Sequence, residues 1–278
     1  MRLFVDNLIN LDFSYLHATR GLVGETWLAS IELEGPLNEQ GMICDFGQVK
    51  RVLREWLEQH LDHQLLVPTK AVNAKVSAHP HKVSVVWRCG DDKRIEQSAP
   101  PQAVTLIDQA SINPDSVAAW CLAHLEGMFG EHVSHISLRF APEKIEGPYY
   151  HYSHGLKKHQ GQCQRIAHGH RSRIEIKRNG SISEDDMCQW ASRWRDIYIA
   201  SREDLRHETD ETYTFKYRSQ EGEFALTLPK SQCYIIDADT TVECIAQHVA
   251  STLKDHHPDD HFEVKAYEGL AKGAIACA

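Results

Sequence analysis

Hydrophobic and polar positions alternate in two rhythms along this chain, and the same succession of rhythms occurs twice. "ASIELEG" at 29–35 and "SRIEIKRNG" at 172–180 alternate with period two and stop at a glycine, as half-buried strands do. Each is followed by a run with helical spacing, "DFGQVKRVLREWLEQHLDH" at 45–63 and "CQWASRWRDIYIASREDLRH" at 188–207. Both runs close on Leu-x-His: Leu61-Asp62-His63 and Leu205-Arg206-His207. A hairpin pattern comes next in each copy, then "VTLID" or "CYIID", a second helix and a closing strand, "HISLRFAP" or "HFEVKAYEG". Upstream, an aromatic followed by three residues and a histidine opens each copy, at Phe13–His17 and Tyr150–His154. The order β-β-α-(hairpin)-α-β, read twice, predicts a tandem duplication with its boundary near Gly147. The alternative is one irregular α+β domain.

Composition narrows the classes. A chain of 278 residues with 42% hydrophobic and 25% charged residues has the make-up of a soluble globular protein. The net charge is −9 and no block of Lys or Arg stands out, which argues against a nucleic-acid surface. No apolar run reaches membrane-span length, and the N-terminal stretch is too short and acidic for a secretory signal. The eight cysteines form no C-x-x-C pair and are expected to be reduced thiols of a cytoplasmic protein. Eighteen histidines make any single one a weak signal.

The stretch "CQRIAHGHRSRIEI" at 163–176 changes the picture. His168 and His170, two apart at the start of a strand, share one face and can converge on a cation. A catalytic zinc needs a third ligand and keeps a fourth position open. His154 is best placed, because a hairpin returns His168 and His170 beside it; His151 and His159 are less well placed. Cys163 is either one buried thiol among eight or a reactive one, its thiolate favoured by Lys157, Lys158 and a nearby metal. Asp62-His63 is either a helix C-terminal cap or an oriented proton carrier.

Together these residues resemble the 6-pyruvoyltetrahydropterin synthase and 6-carboxytetrahydropterin synthase family. The resemblance rests on aromatic-x-x-x-His, Cys, His-Gly-His and its strand, Asp-Phe-Gly-x-x-Lys, Leu-Asp-His, Thr-x-Glu-x-x-Ala, and a late Glu before a turn of small residues. It covers nearly the whole chain, with motifs that family members carry once divided between two copies. It implies an α+β chain of two tandem tunnelling-fold (T-fold) domains, with antiparallel sheets covered by helices on one face. Residues 1–146 would carry the Asp-His pair and lack zinc; residues 147–278 would carry the zinc site, the cysteine and the pterin anchor. It implies Zn2+ on His154, His168 and His170, catalysis by Cys163, Asp62 and His63, and substrate binding by Glu268, Thr241 and Glu243. It also implies a barrel closed in a homo-oligomer, of two or three chains, with the site between neighbouring domains.

Departures from the family pattern follow the same division. The first copy has "ETW" at 25–27 in place of His-Gly-His, Val117 opposite Glu243, and Pro142 opposite Glu268. The second has Arg206 opposite Asp62, which makes His207 the copy of His63, and His17 the copy of His154. An extra hairpin in each copy is not typical of the family. The implied activity is conversion of 7,8-dihydroneopterin triphosphate to 6-carboxy-5,6,7,8-tetrahydropterin in queuosine biosynthesis. The alternatives are the 6-pyruvoyl product, another T-fold lyase or aldolase, or a silent zinc-binding paralogue.

Overall fold

The computed structural model describes residues 1–90, 93–129 and 133–278. The first half opens with a long antiparallel pair, β1 (Arg2–His17) and β2 (Gly21–Glu34). Helix α1 (Phe46–His60) follows; Asp45 caps it by accepting from the Gln48 amide at 3.0 Å. Its buried residues Val49, Leu53, Trp56 and Leu57 form one helical stripe. Then come β3 (Leu65–Pro68), a meander of β4 (Ala74–His79), β5 (Lys82–Cys89) and β6 (Lys93–Ala99), then β7 (Val104–Ile107), α2 (Pro114–Leu125) and β8 (His135–Pro142).

The second half repeats this order. It runs β9 (Tyr149–His154), β10 (His168–Arg178), the two-residue β11 (Ser181–Ile182), α3 (Glu184–Arg193), β12 (Ile197–Ser201) and a meander of β13 (Leu205–Glu208), β14 (Thr212–Ser219) and β15 (Gly222–Pro229). It ends with β16 (Cys233–Ile236), α4 (Val242–His256), β17 (Phe262–Tyr267) and β18 (Gly273–Cys277), which has no first-half counterpart among the described strands.

Each half forms its own sheet, in the orders β7-β3-β1-β2-β8 and β16-β12-β9-β10-β17-β18. The hairpins are antiparallel as expected, but β3 and β12 join β1 and β9 in parallel, so both sheets are mixed. Neither short parallel strand was foreseen. The run at 188–207 is helical only to Arg193; "IYIAS" inside it is β12, buried throughout. The two meanders combine into one six-stranded sheet, β13-β14-β15-β6-β5-β4, by pairing Leu226 with Gln97 and its neighbours. That sheet covers a core of its own, including Trp87, Phe215, Phe224, Ile166 and Tyr198.

The halves meet across a local two-fold axis. Along β1, Leu11, Phe13 and Tyr15 enter the helix-covered core, while Ser14 between them faces the other half. There its hydroxyl lies 2.7 Å from that of Ser153. Both serines stand opposite a glycine of their own hairpin, Gly24 and Gly169. Both also pair with the following parallel strand, at Leu65 and Tyr198. The glycines allow the two hairpins to touch by backbone alone. A Cβ on Gly24 would fall 1.8 Å from the Tyr152 carbonyl oxygen, and one on Gly169 2.7 Å from Gly24 Cα.

Ser14 and Ser153 fix which residues are true counterparts, and they correct the motif-based alignment. Tyr15, not His17, stands where His154 does. Val23-Gly24-Glu25, not residues 25–27, stands where His168-Gly169-His170 does. Trp194-Arg195-Asp196, not Leu205–His207, matches Leu61-Asp62-His63; His63 and Asp196 both have left-handed backbones, with φ of 53° and 56°. Counted from the helix caps Asn113 and Thr241, Asp115, not Val117, is opposite Glu243. The pairing of Pro142 with Glu268 agrees with the strand registers.

Gly24→Ala places a methyl group against backbone that cannot swing aside, so it is expected to cost about 3 kcal/mol or more. Denaturant unfolding measures this.

Candidate active site

His154 ends β9 directly opposite His168, the first residue of β10, and His170 follows on the same face. All three are buried. One nitrogen of each ring is committed outward. His154 Nδ1 donates to the Thr240 carbonyl and His168 Nδ1 to the Arg165 carbonyl, both at 2.8 Å, while His170 Nδ1 lies 3.1 Å from Asp12 Oδ1. That leaves the Nε2 atoms turned inward: those of His154 and His170 are 3.2 Å apart, and that of His168 is buried without a partner. Burial, with His170 nearby, holds His154 down to about 3, and burial with His154 beside it holds His168 well below the usual histidine range. Three inward-facing Nε2 atoms, those of His154 and His168 on rings kept neutral, make a donor set for a cation. The outward partners fix each ring's orientation, as partners behind metal-bound histidines do.

The first half supplies the adjacent groups. Leu61 ends α1, and the left-handed turn at His63 carries Asp62-His63 back towards β1. His63 Nδ1 lies 2.7 Å from Asp62 Oδ2. The ring also lies beside the Cys163 thiol and sits with its centroid 5.1 Å from that of His168. Burial would lower His63, but Asp62 and Cys163 outweigh it and raise the ring to about 10. Cys163 is half-buried in a short 3-10 turn, Gln162–Gln164. The ligand atoms of His63, Cys163 and His168 lie within 4.8 Å of one another. The thiol of one half and the Asp-His pair of the other therefore meet within a single chain.

Asp12 links these parts and was not foreseen. Its side chain faces His170 and accepts from Thr26 Oγ1 at 2.6 Å. Its amide donates to Asp62 Oδ1 at 2.8 Å, and its carbonyl accepts from the His63 amide at 2.6 Å. Burial would raise its carboxyl, but His170 and Lys272 hold it well below the usual carboxylate range. The one available signal was an aspartate between Asn10 and Ser14 on the polar face of an alternating strand, "LINLDFSYL".

Glu268 follows β17, with Oε1 4.0 Å from His170 Nε2 and Oε2 3.5 Å from Lys272 Nζ. Burial opposes its ionisation, but His170, His154 and Lys272 keep its carboxyl below the ordinary value. A cavity of about 470 Å³ lined by Asn10, Asp12, Arg54, Asp62, His63 and Lys272 opens onto this region. Thr241 and Glu243 follow Thr240, the residue whose carbonyl orients His154. The Thr241 hydroxyl caps α4 by accepting from the Cys244 amide, and Glu243 is exposed on its first turn.

Across the two-fold axis the same positions hold different chemistry. Tyr15, Val23 and Glu25 replace the three histidines, so among the described residues no second three-histidine set stands there. Where His63 and Asp62 stand, Asp196 and Arg195 appear, and Asp196 is bound by Arg20 at 2.5 and 2.9 Å. His151 occupies the position of Asp12 and lies 3.9 Å from Glu25. Burial raises Glu25 to about 7.

A fold of two such domains, with three converging histidines beside a thiol and an Asp-His pair, defines a T-fold protein with a candidate metal site. The 6-pyruvoyl tetrahydropterin synthase family profile matches the chain twice, over residues 12–139 and 147–276, and the chain belongs to that family. A Pyrococcus abyssi protein named as a candidate 6-carboxy-5,6,7,8-tetrahydropterin synthase is 28% identical over 129 residues, 46% of this chain and 73% of that protein. Its namesake from Pyrococcus horikoshii is 26% identical over 134 residues, again 46% and 73%. Among solved structures, a catalytic-residue mutant of Plasmodium vivax 6-pyruvoyltetrahydropterin synthase is 18% identical, covering 52% of this chain and 93% of that one, with a TM-score of 0.43.

Asp12→Asn should weaken cation binding about 10- to 100-fold, since it removes the carboxylate behind His170. Competition with a chelator measures this. Elemental analysis should find one cation per chain, and His168→Ala should lose it while keeping the fold. Glu25 predicts a pH effect of opposite sign to that of a paired carboxylate. Its folded-state value lies above the unfolded one, so its stability contribution is complete below about pH 4.5 and is lost as pH rises through 7. Glu25→Gln should therefore stabilise the fold little at pH 4.5 and by roughly 3 kcal/mol above pH 7. Unfolding curves at the two pH values decide.

Proposed function

We propose that the protein is a zinc-dependent pterin synthase that converts 7,8-dihydroneopterin triphosphate to 6-carboxy-5,6,7,8-tetrahydropterin, the step this family contributes to queuosine biosynthesis. The observation that carries the reading is the meeting of Cys163 with His63 beside the three histidines, since a purely structural metal centre needs neither. The candidate synthases of Pyrococcus named above support the 6-carboxy product.

His154, His168 and His170 would hold the zinc through Nε2. When bound it supplies Lewis acidity that eases loss of protons from the side-chain hydroxyls of the substrate. Cys163 takes and returns protons at the pterin side chain. His63, oriented by Asp62, carries protons on the other face, and its contact with the thiol lets charge pass between them. Glu268 accepts hydrogen bonds from the guanidine-like edge of the pterin. Thr241 and Glu243, at the start of α4 beside the Thr240 carbonyl that orients His154, would contact substrate outside the ring of histidines. Residues 1–146 form the domain that contributes the Asp-His pair, and residues 147–278 the domain that contributes metal, thiol and anchor.

Three chains forming two stacked three-domain rings suit the separate sheets of each half. Their edge strands, β7 and β8 in one and β16 and β18 in the other, are free to pair with other chains. A cytoplasmic location suits the eight free cysteines, and no helix among the described residues is long and apolar enough to cross a membrane.

Incubation with dihydroneopterin triphosphate followed by mass analysis should yield the 6-carboxy compound; a 6-pyruvoyl compound would redirect the assignment, and no turnover would refute it. Cys163→Ala and His63→Ala should each lower the rate by about 10² to 10⁴, and His207→Ala should leave it unchanged. Because each chain closes its own site, dissociating and reassembling the two inactive variants together should restore nothing. Sedimentation should show a trimer of chains, and a monomer would contradict the ring.

A further inference from the structure

The loop that carries Cys163, residues 155–167, is tied at its start by Thr240 to Gly155 and by Lys157 to Asp204 and Glu203, and after the cysteine by the meander of its own half. Tyr217 Oη on β14 donates to the Gln164 carbonyl at 2.8 Å. Gln164, almost fully buried, accepts at Oε1 from Ser219 Oγ at 2.6 Å and from the Glu221 amide at 2.8 Å. Its own Nε2 donates back to Gly161 at 2.9 Å, across the cysteine. Arg165, 5% exposed, forms a two-pronged ion pair with Glu221 at 2.9 and 3.1 Å. Four groups of one hairpin thus grip the two residues that follow Cys163. The carbonyl of Arg165 is also the acceptor that orients His168.

The first half has the same grip on a lesser object. Trp87 and Gly90, at the corresponding place in its meander, donate to the carbonyls of His17 and Ala18 in the short β1–β2 turn. Among the described residues, these two bonds come from an indole and a backbone amide. The second half adds the charged fork where the loop is longer and bears the thiol. The hairpin is itself fixed from outside, because β15 pairs with β6 and Gln102 donates to the Glu221 carbonyl.

We infer that the β14–β15 hairpin is the positioning element for Cys163, with Glu221 as its principal positioning residue. Through it the six-stranded sheet sets both the thiol and the ring of His168 against His63. The inference rests on the role given to Cys163 above. A buried charge-assisted fork is a stiff support, whereas loss of one partner leaves the other desolvated and unpaired. A displacement of about 1 Å at a catalytic group can cost on the order of 10²-fold in rate.

Glu221→Gln and Tyr217→Phe test this, each compared with wild type by hydrogen exchange and by steady-state kinetics with dihydroneopterin triphosphate. Tyr217→Phe removes one hydrogen bond and keeps the ion pair, so it remains readable if Glu221→Gln folds poorly. Exchange across residues 156–167 should quicken at least about tenfold while β1 and β2 stay protected. The kcat should fall about 10- to 100-fold with KM within twofold and metal content unchanged, and Glu221→Asp should recover part of the loss. Unchanged exchange in the loop, or a quickened loop with unaltered kcat, would overturn the inference. So would a kcat loss that merely tracks lost metal and lowered melting temperature. If wild type itself shows no turnover, the functional reading fails, and exchange alone decides whether the hairpin holds the loop.

Discussion

Backbone contact between two hairpins at Gly24 and Gly169 is the constraint on which the rest of the structure depends. With no side chains between them, β2 and β10 come close enough for Ser14 and Ser153 to share a hydrogen bond at 2.7 Å. That distance of approach sets where Asp12, Asp62 and His63 arrive relative to His154, His168 and His170. A single Cβ at either glycine would force the halves apart and leave each with an incomplete set of groups.

The same axis explains the unequal fates of the halves. A two-fold arrangement offers two equivalent clefts, each built from both halves. In one cleft the positions hold three histidines, a thiol and an Asp-His pair. In the other they hold Tyr15, Val23 and Glu25, and an Arg20–Asp196 ion pair fills the place of the thiol and histidine. Even the contact between halves is reversed, since His170 faces Asp12 on one side and Glu25 faces His151 on the other. Duplication thus permits one cleft to become structural without loss of the other.

Much of this was legible in the sequence where periodicity is strong. The strand after His168 alternates cleanly, and period two alone placed His168 and His170 on one face. The duplication was visible from the order of elements. Local spacing was a poorer guide to register. Aromatic-x-x-x-His occurs at both Phe13 and Tyr150, yet the register places Ser14 with Ser153, two positions away from that match. Leu205–His207 copied Leu61–His63 in letters but lies on a strand, because the buried "IYIAS" had been absorbed into a helical pattern. Asp12 was hidden for a different reason: its importance comes from contacts 50 and more residues away, which no local rule records.

The central claim is that the Cys163 thiol and the His63 ring share one chain's cleft. Replacing His63 by cysteine and treating the protein with a short thiol-specific bis-electrophile such as dibromobimane tests it most directly. The account predicts a bridge between residues 63 and 163 that runs as a single chain under denaturing conditions and is absent when Cys163 is also replaced by serine. A bridge found only in covalently joined chains would contradict it.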